Sequence, residues 1–78
     1  MIRQRLAALV EESSDGEVTA REAMASGLPL SALGLTSIAR MRLIDAVEAE
    51  FGVEVDLSEE GLAVLDDLDL LAARLSDR

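Results

Sequence analysis

The 78-residue chain contains 16 acidic and seven basic residues, which gives a net charge of −9. Binding to nucleic acid or to an anionic membrane surface needs a basic patch, so this charge balance argues against both partners. The chain has no Cys, no His and no Lys. Disulfides and Cys or His metal sites are therefore excluded, and so is a His or Lys general base.

The length predicts one small domain over residues 1–78, with a thin core and modest stability. No apolar run is long enough to span a bilayer, and the N-terminus lacks the pattern of a secretory signal. We therefore expect a cytoplasmic protein, and we expect it to be a monomer.

Apolar residues at helical spacing from Ile2 to Val10 predict an amphipathic first helix, which the polar residues 13–16 end. Thr19 and Glu22 have the spacing of a capping box, so a short helical turn is expected there. A long connection follows, and its leucines are too numerous for a free loop. We expect them to be fixed on the core, as is typical of a functional ordered loop: Leu28, Leu30, Leu33 and Leu35.

The second helix is predicted from Ser37 to Phe51, with Gly52 as its stop. Either Asp56 or Ser58 is expected to cap a short third helix, which Gly61 should curtail.

A last helix is expected over 66–75, and its buried stripe comprises Leu68, Leu71, Ala72 and Leu75. Acidic residues in its first turn would complement the helix dipole: Asp66, Asp67 and Asp69. The predicted fold is all-α, a small four-helix bundle with a long first loop and a short third helix.

The second helix has an unusual distribution of apolar residues. At 100° per residue, the residues predicted to face the core are Leu43, Ile44, Val47 and Phe51. Ile38 and Met41 point away from this face, toward solvent, and are interpreted as a docking patch. Arg40 lies in line with the core face, so its side chain should extend outward past the loop to a carboxylate or a loop carbonyl.

Ser37, at the start of this helix, is the most informative residue. An attached phosphate is favoured there by the free N–H groups of the first turn and by the helix dipole. This setting suits covalent carriage of a phosphate-linked group better than catalysis. The alternative is a simple N-terminal cap, because Ser is a favoured capping residue.

Several stretches of the sequence resemble the acyl carrier and peptidyl carrier protein family: Leu33-Gly34-Leu35-Thr36-Ser37-Ile38, Met41-Arg42-Leu43, Phe51-Gly52-Val53 and Val64-Leu65-Asp66-Asp67-Leu68. The resemblance covers nearly the whole chain. It implies that Ser37 is esterified with 4′-phosphopantetheine taken from coenzyme A, whose thiol then holds the cargo as a thioester. It implies neither a catalytic residue nor a metal.

The resemblance also implies partners. These are a phosphopantetheinyl transferase, an acyl- or aminoacyl-loading enzyme, and downstream condensing or tailoring enzymes. The residues expected to contact them are Thr36, Ile38, Met41, Arg42 and Asp45. Thr36 stands where the family usually has Asp. Thr can still cap the helix but supplies no carboxylate, so a dedicated transferase or an unmodified chain are the alternatives to modification by a generic transferase.

Arg40 and Arg42 dilute the acidic second helix that is typical of fatty-acid carriers, and Met41-Arg42-Leu43 resembles the Leu-Arg-Leu pattern of peptidyl carriers. We therefore expect a free-standing carrier in secondary metabolism, of nonribosomal-peptide or polyketide type. The alternative within the family is an acyl carrier protein of fatty-acid synthesis.

Other functions fit less well. A serine hydrolase needs a base beside its nucleophile, and the sequence around Ser37 lacks the glycines of a nucleophile elbow. The acidic clusters do not have EF-hand spacing, so solvated helix starts are preferred to a calcium site. A helical interaction module without a prosthetic group is the remaining alternative.

Overall fold

The computed structural model describes residues 2–76, so Met1, Asp77 and Arg78 of the predicted 1–78 domain lie outside the described residues. Its elements, in chain order, are α1 (Ile2–Ser13), α2 (Ala20–Ala25), a 3-10 helix (Leu30–Leu33), α3 (Ser37–Phe51), α4 (Glu59–Leu65) and α5 (Leu68–Ser76). Within residues 2–76, every helix is too short or too polar to cross a lipid bilayer.

Helix α1 is the centre of the packing and contacts α2, α3 and α5, while α4 packs mainly on α5. Helices α1, α3, α4 and α5 form the bundle, and α2 and the 3-10 helix lie in the connection between its first two members. The prediction of an all-α four-helix bundle with a long first loop and a short third helix is confirmed. The capping box at the start of α2 is also present, because the Glu22 N–H donates to Thr19 Oγ1 and the Thr19 N–H donates to Glu22 Oε1.

The core is aliphatic, and every element between α1 and α5 contributes to it. Its largest fully buried side chains are Leu6, Val10, Val18, Leu30, Leu43, Val47 and Leu65. Ion pairs at the surface join α1 to α3 through Arg5 and Glu50 and α1 to α5 through Arg3 and Asp69. Exposed pairs of this kind contribute little, so burial of the aliphatic side chains is the main stabilising term.

Helix α3 has the predicted bounds. Gly52 follows its last residue with φ of +66° and donates its N–H to the Glu48 carbonyl, a left-handed termination that favours glycine. Along α3, Leu43 and Val47 are fully buried, and Ile44 and Phe51 are partly buried against the core. The predicted core face is therefore confirmed.

The prediction that Gly61 curtails the third helix is wrong, because α4 continues through it to Leu65. Ser58 is the cap, and its Oγ accepts the Gly61 N–H at 3.2 Å. A Cβ at Gly61 would come within 1.9 Å of the Asp56 carbonyl oxygen. Glycine is needed here for the close approach of the preceding loop, not to end the helix.

The predicted start of the last helix is two residues too early, since α5 begins at Leu68. Asp67 Oδ1 accepts the N–H groups of Asp69 and Leu70, both at 3.1 Å, which places a side-chain cap just before Leu68. Asp66 is not in the first turn of α5 but at the C-terminal end of α4, where its N–H is bonded to the α4 carbonyls. In the predicted stripe, Leu68, Leu71 and Leu75 are buried and Ala72 is half-buried.

Candidate functional site

The segment that leads to Ser37 is fixed by apolar anchors. Leu30 and Leu35 are buried and Leu33 is half-buried, as predicted. Between them the 3-10 helix ends at Gly34, whose φ of +105° favours glycine. The prediction for Leu28 is wrong. Its side chain is 55% exposed because it lies in a surface turn closed by its own N–H and Ser26 Oγ.

The same segment is also fastened to the junction of α4 and α5. Asp66 accepts hydrogen bonds on its carboxylate from the Ser31 N–H at 2.8 Å and from the Ser31 hydroxyl at 2.6 Å. Its backbone carbonyl accepts the Leu30 N–H at 2.8 Å. Sequence reasoning missed this role, because nothing local to Asp66 distinguishes it from a residue in the first turn of a helix.

Thr36 is the cap of α3. Its backbone is extended, its Oγ1 accepts the Ala39 N–H at 3.1 Å, and its carbonyl accepts the Arg40 N–H. The alternative that Ser37 is the cap is therefore wrong. Ser37 is instead the first residue of the helix proper, where the N–H groups of Ser37 and Ile38 have no intrahelical acceptor.

Ser37 is exposed, and no described residue hydrogen-bonds its hydroxyl. The contrast with Ser58 at the start of α4 is direct. The Ser58 hydroxyl accepts from Gly61 and donates to Asp56, and these bonds are structural. The pKa of the Asp56 carboxyl lies below its usual value, chiefly because of the hydrogen bond from the Ser58 N–H and then that from its hydroxyl. Ser58 is thus used by the fold, whereas the hydroxyl of Ser37 is available for chemistry.

Two large apolar side chains flank Ser37 on the solvent side of α3. Ile38 is 66% exposed and Met41 is 67% exposed, so the predicted rotation of the helix is confirmed. Arg42 and Asp45 are exposed on the same helix, and Arg42 Nη1 pairs with Asp15 Oδ2 at 3.0 Å. Together with Thr36, which lies directly before Ser37, these exposed residues lie within the first nine residues of α3, and we call the five residues the α3 surface: Thr36, Ile38, Met41, Arg42 and Asp45.

Arg40 lies one turn after Ser37, on the side of α3 that faces inward. The residue is half-buried, and its Nε is fully buried without a hydrogen-bond partner among the described residues. The expected carboxylate or loop carbonyl is therefore not found within residues 2–76. A buried polar hydrogen without an acceptor is costly, so an orphaned Nε in a native protein needs an explanation.

A groove of about 510 Å³ runs between the second half of α3 and the two C-terminal helices. Its floor is apolar, formed by Val47, Val64, Leu65 and Leu71, and its rim carries charged residues such as Arg74. No group of three or more acidic side chains within residues 2–76 is placed to hold a metal ion.

The phosphopantetheine attachment site family, as defined by its family model, matches residues 4–75 of the chain. No curated protein and no solved structure matches it. The group borne by this family is covalent 4′-phosphopantetheine, which is linked to its protein through a phosphodiester. The start of α3 fits such a group, because it combines an exposed hydroxyl, two N–H groups without intrahelical acceptors and a guanidinium with an orphaned Nε. Since the match covers almost the whole described structure, the chain belongs to the family of phosphopantetheine-bearing carrier domains.

Proposed function

We propose that Ser37 carries the 4′-phosphopantetheine arm, and that the chain holds an aminoacyl or acyl thioester on it and delivers this cargo to partner enzymes of secondary-metabolite biosynthesis. One observation carries the assignment of the residue. The Ser37 hydroxyl is exposed at the positive end of a 15-residue helix and makes no bond to the described structure. The chain supplies no His or Lys base near it, so the thioester chemistry is left to the partner enzymes.

Intact-mass spectrometry after incubation with coenzyme A and a phosphopantetheinyl transferase tests the attachment residue. The wild-type protein should gain the mass of one arm, and Ser37→Ala should gain none while melting like wild type. Ser58→Ala is the matched control, because it removes the hydroxyl of another serine at a helix start; it should lose some stability and keep the adduct. An adduct on the Ser37→Ala protein would show that a different residue is the attachment site.

The α3 surface is the proposed docking site for the partners. Ile38 and Met41 would be its centre, since their exposed apolar surface lies beside the attachment point and its burial against a partner would favour binding. Thr36, Arg42 and Asp45 would form its polar edge. The net charge of −9 would steer the chain toward basic surfaces of these enzymes.

The mixed charge of α3 supports a carrier of nonribosomal-peptide or polyketide type. Arg40 and Arg42 lie in its first half, whereas the acidic residues Asp45, Glu48 and Glu50 lie further along. An acyl carrier protein of fatty-acid synthesis is the alternative. Loading of the phosphopantetheinylated protein by amino-acid-activating enzymes, compared with fatty-acid malonyl transferases, distinguishes the two. Efficient loading by the malonyl transferases alone would favour the fatty-acid alternative.

A further inference from the structure

Arg40 is the only described residue whose side chain has a fully buried polar atom without a hydrogen-bond partner. Because the residue as a whole is only half-buried, part of its side chain reaches the surface. An arginine in this state has donors to offer and no acceptor within residues 2–76. The sequence gives no structural reason for an arginine at this position either. The position is in line with Leu43 and Val47 on the core face, where an apolar residue would be better suited.

The geometry of a helix directs this side chain toward Ser37. Residues three apart on a helix are surface neighbours, with Cβ atoms about 5–6 Å apart. Helical side chains also lean toward the N-terminus and cover the turn before their own Cα. By this geometry we expect the Arg40 side chain to lie over the turn that contains Thr36 and Ser37. A group attached to Ser37 would be placed within reach of its guanidinium.

Among the described arginines, Arg21, Arg40 and Arg74 have no ion pair within residues 2–76, and Arg40 is the only one of these three that is partly buried. Arg42 pairs with Asp15, Arg5 with Glu50 and Arg3 with Asp69. Arg40 forms no ion pair with any residue from 2 to 76, although the chain has 16 acidic residues. A phosphodiester on Ser37 would add a further negative charge to this acidic protein. The guanidinium fork matches phosphate oxygens in geometry as well as in charge.

We propose that the Arg40 guanidinium binds the phosphodiester of the arm on Ser37 and so holds the root of the arm against α3. The inference rests on the proposed attachment at Ser37. For this contact the guanidinium must turn outward when the arm is attached, so that its Nε, which is buried and has no partner among residues 2–76 in the unmodified protein, reaches the phosphate oxygens. Arg40 is thus a positioning residue for the arm and takes no part in thioester chemistry.

A thermal-melting cycle tests the proposal with purified unmodified and phosphopantetheinylated proteins. Attachment of the arm should raise the melting temperature of the wild type more than it raises that of Arg40→Met. If a charged hydrogen bond forms, the increase in melting temperature on modification should be larger for the wild type than for Arg40→Met by about 4 °C or more. Arg42→Met is the matched control on the same helix, and it should show the wild-type difference because its partner Asp15 is independent of the arm.

The resonance of the Arg40 Nε–H group gives a second readout that requires no substitution in the protein observed. In a ¹⁵N-resolved NMR spectrum it should shift on phosphopantetheinylation, and it should shift more than the Nε–H resonance of Arg42. This readout decides the question if Arg40→Met does not fold.

The mass spectrum separates the two possible failures. If Ser37 gains no arm, the proposed function and this inference fail together. If the arm is attached but the Arg40 resonance does not move, or if Arg40→Met and wild type respond equally in the melts, the inference about Arg40 is wrong and the attachment stands.

Discussion

The two halves of α3 use similar residues for different purposes. In the first half, Ile38 and Met41 are about two-thirds exposed, whereas Leu43 near the middle of the helix and Val47 in the second half are fully buried. The axis and the hydrogen-bond pattern are continuous along the helix. The difference therefore comes from which side of the helix the apolar residues occupy, and the sequence sets this through their spacing.

The polar side chains of the two halves differ in the same sense. In the second half, Glu50 accepts two hydrogen bonds from Arg5, and Glu48 accepts the Val55 N–H at 2.9 Å. In the first half, the Ser37 hydroxyl and the Arg40 Nε have no partner among the described residues. These polar groups of the second half therefore bind within the fold. In the first half only Arg42 does so, through Asp15, whereas within residues 2–76 Ser37 and Arg40 contribute no side-chain hydrogen bond to it.

Leu43→Ala should give the largest effect, because it creates a cavity beneath the buried face of α3. We expect the free energy of unfolding to fall by about 2–5 kcal/mol, as for other buried leucines. Chemical denaturation measures this loss, and the rate of phosphopantetheinylation should be unchanged at temperatures where the variant is folded. A loss below about 1 kcal/mol would mean that this face of α3 is not the core face.

Met41→Ala tests the exposed face of α3. Its free energy of unfolding should stay within about 0.5 kcal/mol of wild type, because the side chain is mostly exposed. If Met41 is a central docking contact, loss of more than about 1 kcal/mol of binding would slow modification or loading several-fold. Leu70→Ala on α5 is the matched control, since Leu70 is also a large apolar residue that is exposed. Equal kinetic effects of the two variants would contradict a docking site on α3.

Thr36→Asp sharpens the comparison at the cap. Both residues cap a helix, so the free energy of unfolding should change by no more than about 1 kcal/mol. A broad-specificity transferase should modify the variant faster than wild type if it recognises a carboxylate before the serine. Mass spectrometry over time measures the modification rates of both proteins. Identical rates would show that the transferase accepts Thr36 as well as Asp at this position.

Glu50→Gln should have the smallest effect and should depend on pH. The hydrogen bond from Arg5 lowers the pKa of Glu50. The stabilising contribution of Glu50 is therefore complete above the usual carboxyl pKa and disappears as the pH falls through the lowered value. Melting curves of the variant and wild type should differ slightly near neutral pH and converge in acid. Glu54→Gln, which alters an exposed carboxylate of the following loop without an ion pair among residues 2–76, is the control and should melt like wild type near neutral pH.

Much of the fold could be predicted because it depends on local patterns. The bounds of α3 follow from Thr36 and Gly52, and its buried face follows from helical spacing. The role of Gly61 could not be predicted from the sequence, because it depends on a tertiary contact. The carbonyl of Asp56 leaves no room for a Cβ, and that approach is set by how the loop folds back. A glycine needed for space and a glycine that ends a helix look the same in sequence.

The candidate site could also be predicted in part from the sequence. Ser37, Ile38 and Met41 occupy the positions expected from the sequence pattern. The surroundings of Arg40 were not predictable, because a partner for a long side chain depends on what lies across the interface. The bond between Ser31 and Asp66 was also missed, since it joins residues that no local pattern relates.

That bond has a consequence for the growing chain. Ser31 and Asp66 are 35 residues apart, so the segment before Ser37 gains this support only when the C-terminal part of the chain is present. Synthesis proceeds from the N-terminus, and Ser37 emerges from the ribosome well before Asp66. We expect an enzyme that recognises the folded segment to act poorly on nascent chains that end before Asp66. If Ser37 is the attachment residue, its modification should therefore follow the synthesis of Asp66.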